Sequence, residues 1–313
     1  MTLPRRPALA LLIAALSSMA CAPGDREPEA TSAEVARTAL LADLQAAIED
    51  SPAETVGLYY RSLGEPDSVA LDADVRMHAA STMKVPVMMR LYADQDAGLL
   101  SMDDSMVVTT TFHSIVDGTP YELAAASDSD TALYHMEGQA VGYRELVERM
   151  ITRSSNLATN LLIAEAEPAR IAELMADIGA DSMDVLRGVE DLEAFEAGLS
   201  NTTTARSLGA VMRAVARGEG FGEAAADSML AILERQEFTE NIPAGLPEGT
   251  RVANKTGWIT GIHHDAAVVF PHRHPGSAPP YVLVIMVRGH PGDDQGTELM
   301  QRLSRRVWSY HTR

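Results

Sequence analysis

Tyr281-Val282-Leu283-Val284-Ile285-Met286-Val287 is an unbroken apolar run, too short for a core helix and rich in β-branched residues. Both faces of such a segment must be covered, so it reads as a strand in a sheet with helices packed on each side. Working outward, Arg251 to Trp258 and Asp265 to Phe270 read as two more strands. Thr55 to Leu63 and Ser68 to Val75 form a hairpin around Gly64-Glu65-Pro66-Asp67. Residues from about 85 to 235 are Ala/Leu/Met/Glu/Arg segments of helical character, broken by Gly, Asp and Pro near 113–130 and 188–201. Two strands, a helical block and three strands imply one sheet assembled from both ends of the chain. Helices are expected at the termini as well. Thr31 and Glu34 have the capping-box spacing ahead of Leu40, Leu44 and Ile48, and Leu299, Leu303 and Val307 repeat every four residues.

Composition narrows what such a domain can do. The 313 residues are 46% hydrophobic and carry a formal charge of −19, which allows a sizeable core but repels a phosphate backbone, so nucleic acid is excluded as a partner. Arg5-Arg6, the apolar run Ala8 to Leu16 and the small residues before Cys21 read as an export signal over 1–20. Cys21, the single cysteine, stands where a lipoprotein signal is cut and resembles the lipid-bearing residue of bacterial lipoproteins. Cleavage after Ala22 and free secretion is the alternative. The expectation is therefore a periplasmic, membrane-anchored lipoprotein, monomeric, touching the membrane only through its lipid, with a polar tether at 21–32.

Of the 25 basic residues only Lys84 and Lys255 are lysines. Codon bias explains the depletion but not where the two remain. Arginine does not release its proton in a protein, whereas a desolvated lysine beside another cation does, so a site that needs an amine base keeps Lys. Lys84 follows Ser81 by three residues in Ser81-Thr82-Met83-Lys84, a spacing that puts amine and hydroxyl on one helical face and lets the amine activate the serine. Such a pair arises by chance about once in a chain of this length, so alone it decides little.

Two further segments raise its weight. Ser154-Ser155-Asn156 contains Ser-x-Asn within Met150-Ile151-Thr152-Arg153-Ser154-Ser155-Asn156, with Asn160 four residues beyond Asn156, and Asn254-Lys255-Thr256-Gly257-Trp258 puts Lys-Thr-Gly on an expected strand. With Ser-x-x-Lys first, this order resembles the class A serine β-lactamases and the related penicillin-binding proteins, from about residue 33 to the C-terminus. The resemblance implies an α/β (α+β) fold with an antiparallel five-stranded sheet covered by helices and an inserted all-helical subdomain. The active site would lie between an α/β part, 33–84 and 205–313, and a helical part, 85–204.

Carried over, the resemblance makes Ser81 the acylated nucleophile, Lys84 its proton acceptor and Ser154 the proton carrier to the leaving nitrogen. Asn156 would hold the substrate amide and orient Lys84. Lys255 and Thr256 would bind the substrate carboxylate, with Lys255 also depressing the basicity of Lys84, and the backbone N–H groups of Ser81 and Trp258 would form the oxyanion hole. The implied activity is opening of a β-lactam ring, with no cofactor and no metal. Two departures stand out. Ser155 replaces the usual Asp, and the omega-loop Glu is matched by Glu190 when counted from Ser154 but not when counted back from Thr202. A longer linker around Asp117 to Tyr121 alters the cleft rim. Three alternatives stay open: a D-Ala-D-Ala peptidase-like or esterase-like hydrolase of a peptidoglycan-like acyl donor, and a non-catalytic cell-envelope binding protein. The pairs His263-His264 and His272/His274 read as polar strand ends or a hairpin tip rather than metal ligands.

Overall fold

The computed structural model describes residues 31–271, 278–289 and 292–313. The export signal, Cys21 and nearly all of the tether, together with His272 and His274, lie outside the described residues. Five strands form the main sheet: β1 (Thr55–Ser62), β2 (Ser68–Leu71), β3 (Arg251–Ile259), β4 (Ile262–Phe270) and β5 (Tyr281–Arg288). They run in the order β2-β1-β5-β4-β3 with every neighbouring pair antiparallel. Leu58 of β1 lies opposite Ile285 of β5, and Lys255 of β3 opposite Ala266 of β4. The apolar run is thus the central strand.

Helices α1 (Ser32–Glu49) and α9 (Asp293–His311) cover one face. There Leu40, Leu44, Leu299, Leu303 and Val307 pack with Leu58, Leu283, Ile285 and Val287. Thr31 and Glu34 close the expected capping box at the start of α1. On the opposite face Val282, Val284 and Met286 join a larger core built from α2 (Lys84–Asp96), α3 (Tyr143–Thr152), α4 (Asn156–Ala166), α5 (Pro168–Asp177), α7 (Ala205–Arg217) and α8 (Glu223–Leu233), while the short α6 (Leu192–Glu196) lies outside it with Leu192 and Phe195 exposed. The period-2 alternation of β5 therefore feeds two different cores. Within α2–α5, Asp94 of α2 is buried and paired with Arg90 and Arg170, which joins α2 to α5.

Local differences from the sequence reading have local causes. Strand β2 stops at Leu71 rather than Val75, because Asp72 takes φ 42 and starts a turn closed by the Val75 N–H on its carbonyl. Strand β4 starts at Ile262 rather than Asp265, so His263 and His264 lie within the strand and are buried, not at a polar end. His264 is accommodated by hydrogen bonds with the His78 carbonyl (3.0 Å) and the Val287 N–H (3.3 Å). The helical part also carries two short ribbons, Ser105–Val107 with Ala140–Gly142 and Thr111–His113 with Pro120–Glu122. No helix among the described residues is long and apolar enough to cross a membrane.

Candidate active site

Ser81 sits in a 3₁₀ turn, Ala80–Met83, that runs into α2 at Lys84. The sequence spacing suggested an α-helix. The tighter turn serves as well, because three residues per turn eclipse positions i and i+3. Side chains fix this turn. The Ala80 N–H donates to His78 Nδ1 (3.0 Å), and Thr82 Oγ1 donates to the Ala79 carbonyl (2.6 Å). Strand β3 passes close beside it at Gly257, where a Cβ would lie 3.0 Å from Thr82 Cγ2 and 3.2 Å from the Ser81 nitrogen. Only glycine lets the strand approach so near.

Lys84 is fully buried, and its ammonium donates to the Ser154 carbonyl (2.6 Å), Ser154 Oγ (3.2 Å) and Asn156 Oδ1 (2.9 Å). All three of its donors are used there, and no hydrogen bond joins it to Ser81 among the described residues. Lys255, equally buried, reaches the same Ser154 Oγ at 3.0 Å and its own strand's Thr256 carbonyl at 3.0 Å. One hydroxyl thus bridges both lysines of the chain. Burial, reinforced by the charge of Lys255, pulls Lys84 well below the usual lysine range. Burial brings Lys255 to about 7, opposed by the carboxylate of Asp265. Asp265 is itself buried and raised to about 6 by desolvation, while it accepts from Asn254 Nδ2 and the Ile242 N–H, each at 3.0 Å.

Backbone strain collects around this group. Among the described residues five non-glycine positions have positive φ, and three of them are Ala80 next to the serine, Ser154 (φ 57) and Glu190 (φ 63). Such outliers persist where surrounding structure over-determines them, often at functional sites. Thr256 is buried beside Lys255, and Trp258 projects a half-exposed ring at the end of β3.

Glu190 lies in the segment between Arg187 and Thr202. Asn201 closes the neck of this loop, accepting from the Leu186 and Arg187 N–H groups (2.8 and 3.1 Å) and donating to the Arg187 carbonyl (3.0 Å). Asn160 of α4 grips the backbone of Val189, accepting from its N–H at 2.6 Å and donating to its carbonyl at 3.0 Å. Glu190 follows, half-buried and electrostatically coupled to Tyr121 and Tyr134. Among the described residues, no hydrogen bond links its carboxylate to Ser81, Lys84, Ser154 or Asn160.

Sequence reading missed three residues. Asp191, 1% exposed, accepts from Ser114 Oγ (2.8 Å), the Ile115 N–H (3.0 Å) and the Ala194 N–H (3.1 Å), tying the extra linker to the Glu190 loop. Tyr121, in the ribbon strand Pro120–Glu122, accepts from Asn160 Nδ2 at 3.2 Å, and its hydroxyl would lie 2.7 Å from a Cβ at Gly188. Asp128 is the third. Each of the two acids looks in sequence like one more charge in a polar loop, and neither stands at a spacing that marks it.

Comparison with known proteins gives the chain's family and fold relatives. Residues 39–311 match the pattern of the beta-lactamase enzyme family. A β-lactamase of Streptomyces fradiae is 26% identical over 76% of this chain and 75% of its own. Among solved structures, PBP-A superposes with a TM-score of 0.73 at 26% identity, over 87% of this chain and 95% of that one. An ancestral class A β-lactamase shares the fold, with a TM-score of 0.72 at 24% identity over 86% and 98% of the two chains.

Proposed function

The chain belongs to the beta-lactamase enzyme family, and on that premise we propose that it opens β-lactam rings through an acyl-enzyme on Ser81. The observation that carries this reading is the convergence of two buried lysines on Ser154 Oγ beside the 3₁₀ turn of Ser81. Ser81 Oγ attacks the lactam carbonyl carbon while its proton passes to Lys84, whose burial beside Lys255 favours the neutral amine. The carbonyl oxygen gains charge opposite the Ser81 and Trp258 N–H groups. As the C–N bond breaks, Ser154 hands a proton to the nitrogen and recovers one from its lysine neighbours. Lys255 and Thr256 bind the substrate carboxylate, and Asn156 holds the acyl amide. Water then attacks the ester carbonyl and gives a proton to Glu190; as the acyl C–O bond breaks, that proton passes to Ser81 Oγ, which frees the serine and the ring-opened acid and returns Glu190 to its carboxylate. Support for Glu190 is its position next to the Val189 backbone that Asn160 grips. All these groups come from one chain, which supports a monomer. The leader and Cys21 support a periplasmic enzyme held to the membrane by lipid.

Steady-state hydrolysis of a chromogenic cephalosporin, followed by intact-mass analysis, tests this. Wild type turns over, Ser81→Ala gives no covalent adduct, and Glu190→Gln accumulates one after a burst of product. An adduct on the same peptide of Ser81→Ala removes the nucleophile. Wild-type deacylation by Glu190→Gln removes Glu190 as the base and favours the peptidase-like acyl hydrolase.

A further inference from the structure

Ser155, between Ser154 and Asn156, contributes only a neutral cap. Its hydroxyl accepts from the Ala158 N–H (3.2 Å) at the start of α4. The first turn of α4 is held by a second group from a distant loop. Asp128, 8% exposed, accepts at Oδ2 from the Leu157 N–H (2.8 Å) and from the Tyr134 hydroxyl (3.1 Å), and at Oδ1 from the Asp130 N–H (3.0 Å). The preceding Ser127 carbonyl accepts from Asn156 Nδ2 at 3.5 Å. The loop therefore grips α4 beside Asn156, whose Oδ1 takes the Lys84 ammonium at 2.9 Å.

We propose that Asp128 is a positioning residue that supplies, from outside the Ser-x-Asn segment, the carboxylate that Ser155 lacks, orienting Asn156 and setting the charge balance at Lys84. The inference rests on the acyl-serine reading above for its consequence in catalysis, but its physical content is independent of turnover. The charged groups acting on Lys84 among the described residues are Lys255, from β3, and Asp128, while its contacts Ser154 and Asn156 are neutral. Lys255 and burial favour the amine, and Asp128 favours the ammonium. Facing Asp128 itself are the Tyr134 hydroxyl and the Asp130 N–H. The Asp130 carboxylate is turned to Arg149 (2.8 Å) and Arg153 (3.8 Å). A base that is too weak accepts the serine proton poorly, and one held as ammonium cannot accept it, so the Asp128 charge tunes Lys84 between these limits.

The sign follows. With Asp128 neutralised, the ammonium loses its anionic neighbour, and Lys84 gives up its proton at lower pH. Because the chain has only two lysines, ¹³C-lysine labelling of the full chain yields two side-chain resonances, assigned with Lys255→Arg. Asp128→Asn should lower the Lys84 midpoint by at least about half a pH unit, and the acid limb of the acylation rate should move the same way. Asp128→Glu, which keeps the charge, should hold both near wild type, and Ser155→Asp should restore the midpoint in the Asp128→Asn background. An unmoved Lys84 midpoint in Asp128→Asn overturns the proposal. So does an Asp128→Glu shift as large as that of Asn, because charge would then not be the cause. Failure of wild type to form any β-lactam adduct overturns the acyl-serine reading instead, and the lysine titration still decides the role of Asp128.

Discussion

Lys255 changes charge close to neutral pH. Burial brings it to about 7, so the ammonium that pairs with a substrate carboxylate prevails below that value and is lost as pH rises through it. The predicted result is a kcat/KM for a carboxylate-bearing cephalosporin that falls above about pH 7, because binding loses its cation. Lys255→Arg keeps its charge throughout this range, so the alkaline limb should vanish even if the plateau is lower. A limb that stays near pH 7 in the Arg variant belongs to another group. At this scale Ser81, Lys84, Ser154, Asn156 and Lys255 were legible in sequence, since residue type and short spacing carry the chemistry. Among the described residues no hydrogen bond joins Ser81 to Lys84, because Ser154 and Asn156 arrive from elsewhere to take all three donors of the lysine.

Among elements, the loop 187–200 and the ribbon Thr111–His113 with Pro120–Glu122 act as one wall, joined at Asp191. Asp191→Ala removes the acceptor of a hydroxyl and two N–H groups in a buried place, and each donor left without a partner there costs about 1–3 kcal/mol. Amide exchange should accelerate across residues 187–200. Deacylation should slow more than acylation, because Glu190 lies in this loop, whereas Ser81, Lys84 and Ser154 lie elsewhere. Unchanged exchange in the Ala variant would show that the tie does not hold the wall. The breaks near 113–130 and 188–201 were visible as Gly/Pro/Asp-rich stretches, but composition does not say that two breaks meet. The terminal helices and the sheet strands were legible, since a repeat of four residues or an alternation of two is a local pattern. The ends of β2 and β4 were not, because the Asp72 turn and the burial of His264 depend on neighbours outside each strand.

For the whole molecule the decisive feature is a sheet built from both ends of the chain, with β5 at its centre. Ile285 is fully buried on the α1/α9 side, so Ile285→Ala should cost about 2–5 kcal/mol of stability, read as a lower melting temperature. The acylation rate of the folded fraction should be unchanged, because the turn of Ser81 packs on the other face. A large loss of acylation rate at a temperature where the variant is folded would contradict this two-core arrangement. The sequence alone determined the strand and helix pattern, the export leader as an expectation, and the order of Ser-x-x-Lys, Ser-x-Asn and Lys-Thr-Gly, since each is written in residues a few positions apart. Tertiary structure decided how these segments meet. Ser154 joins Lys84 across 70 positions and Lys255 across 101, and Asp128 meets Leu157, and Asp191 meets Ser114 and Ile115, only because distant segments pack together. Desolvation and hydrogen bonding depend on which groups share a buried volume, and that is set by packing of the whole chain rather than by any local period.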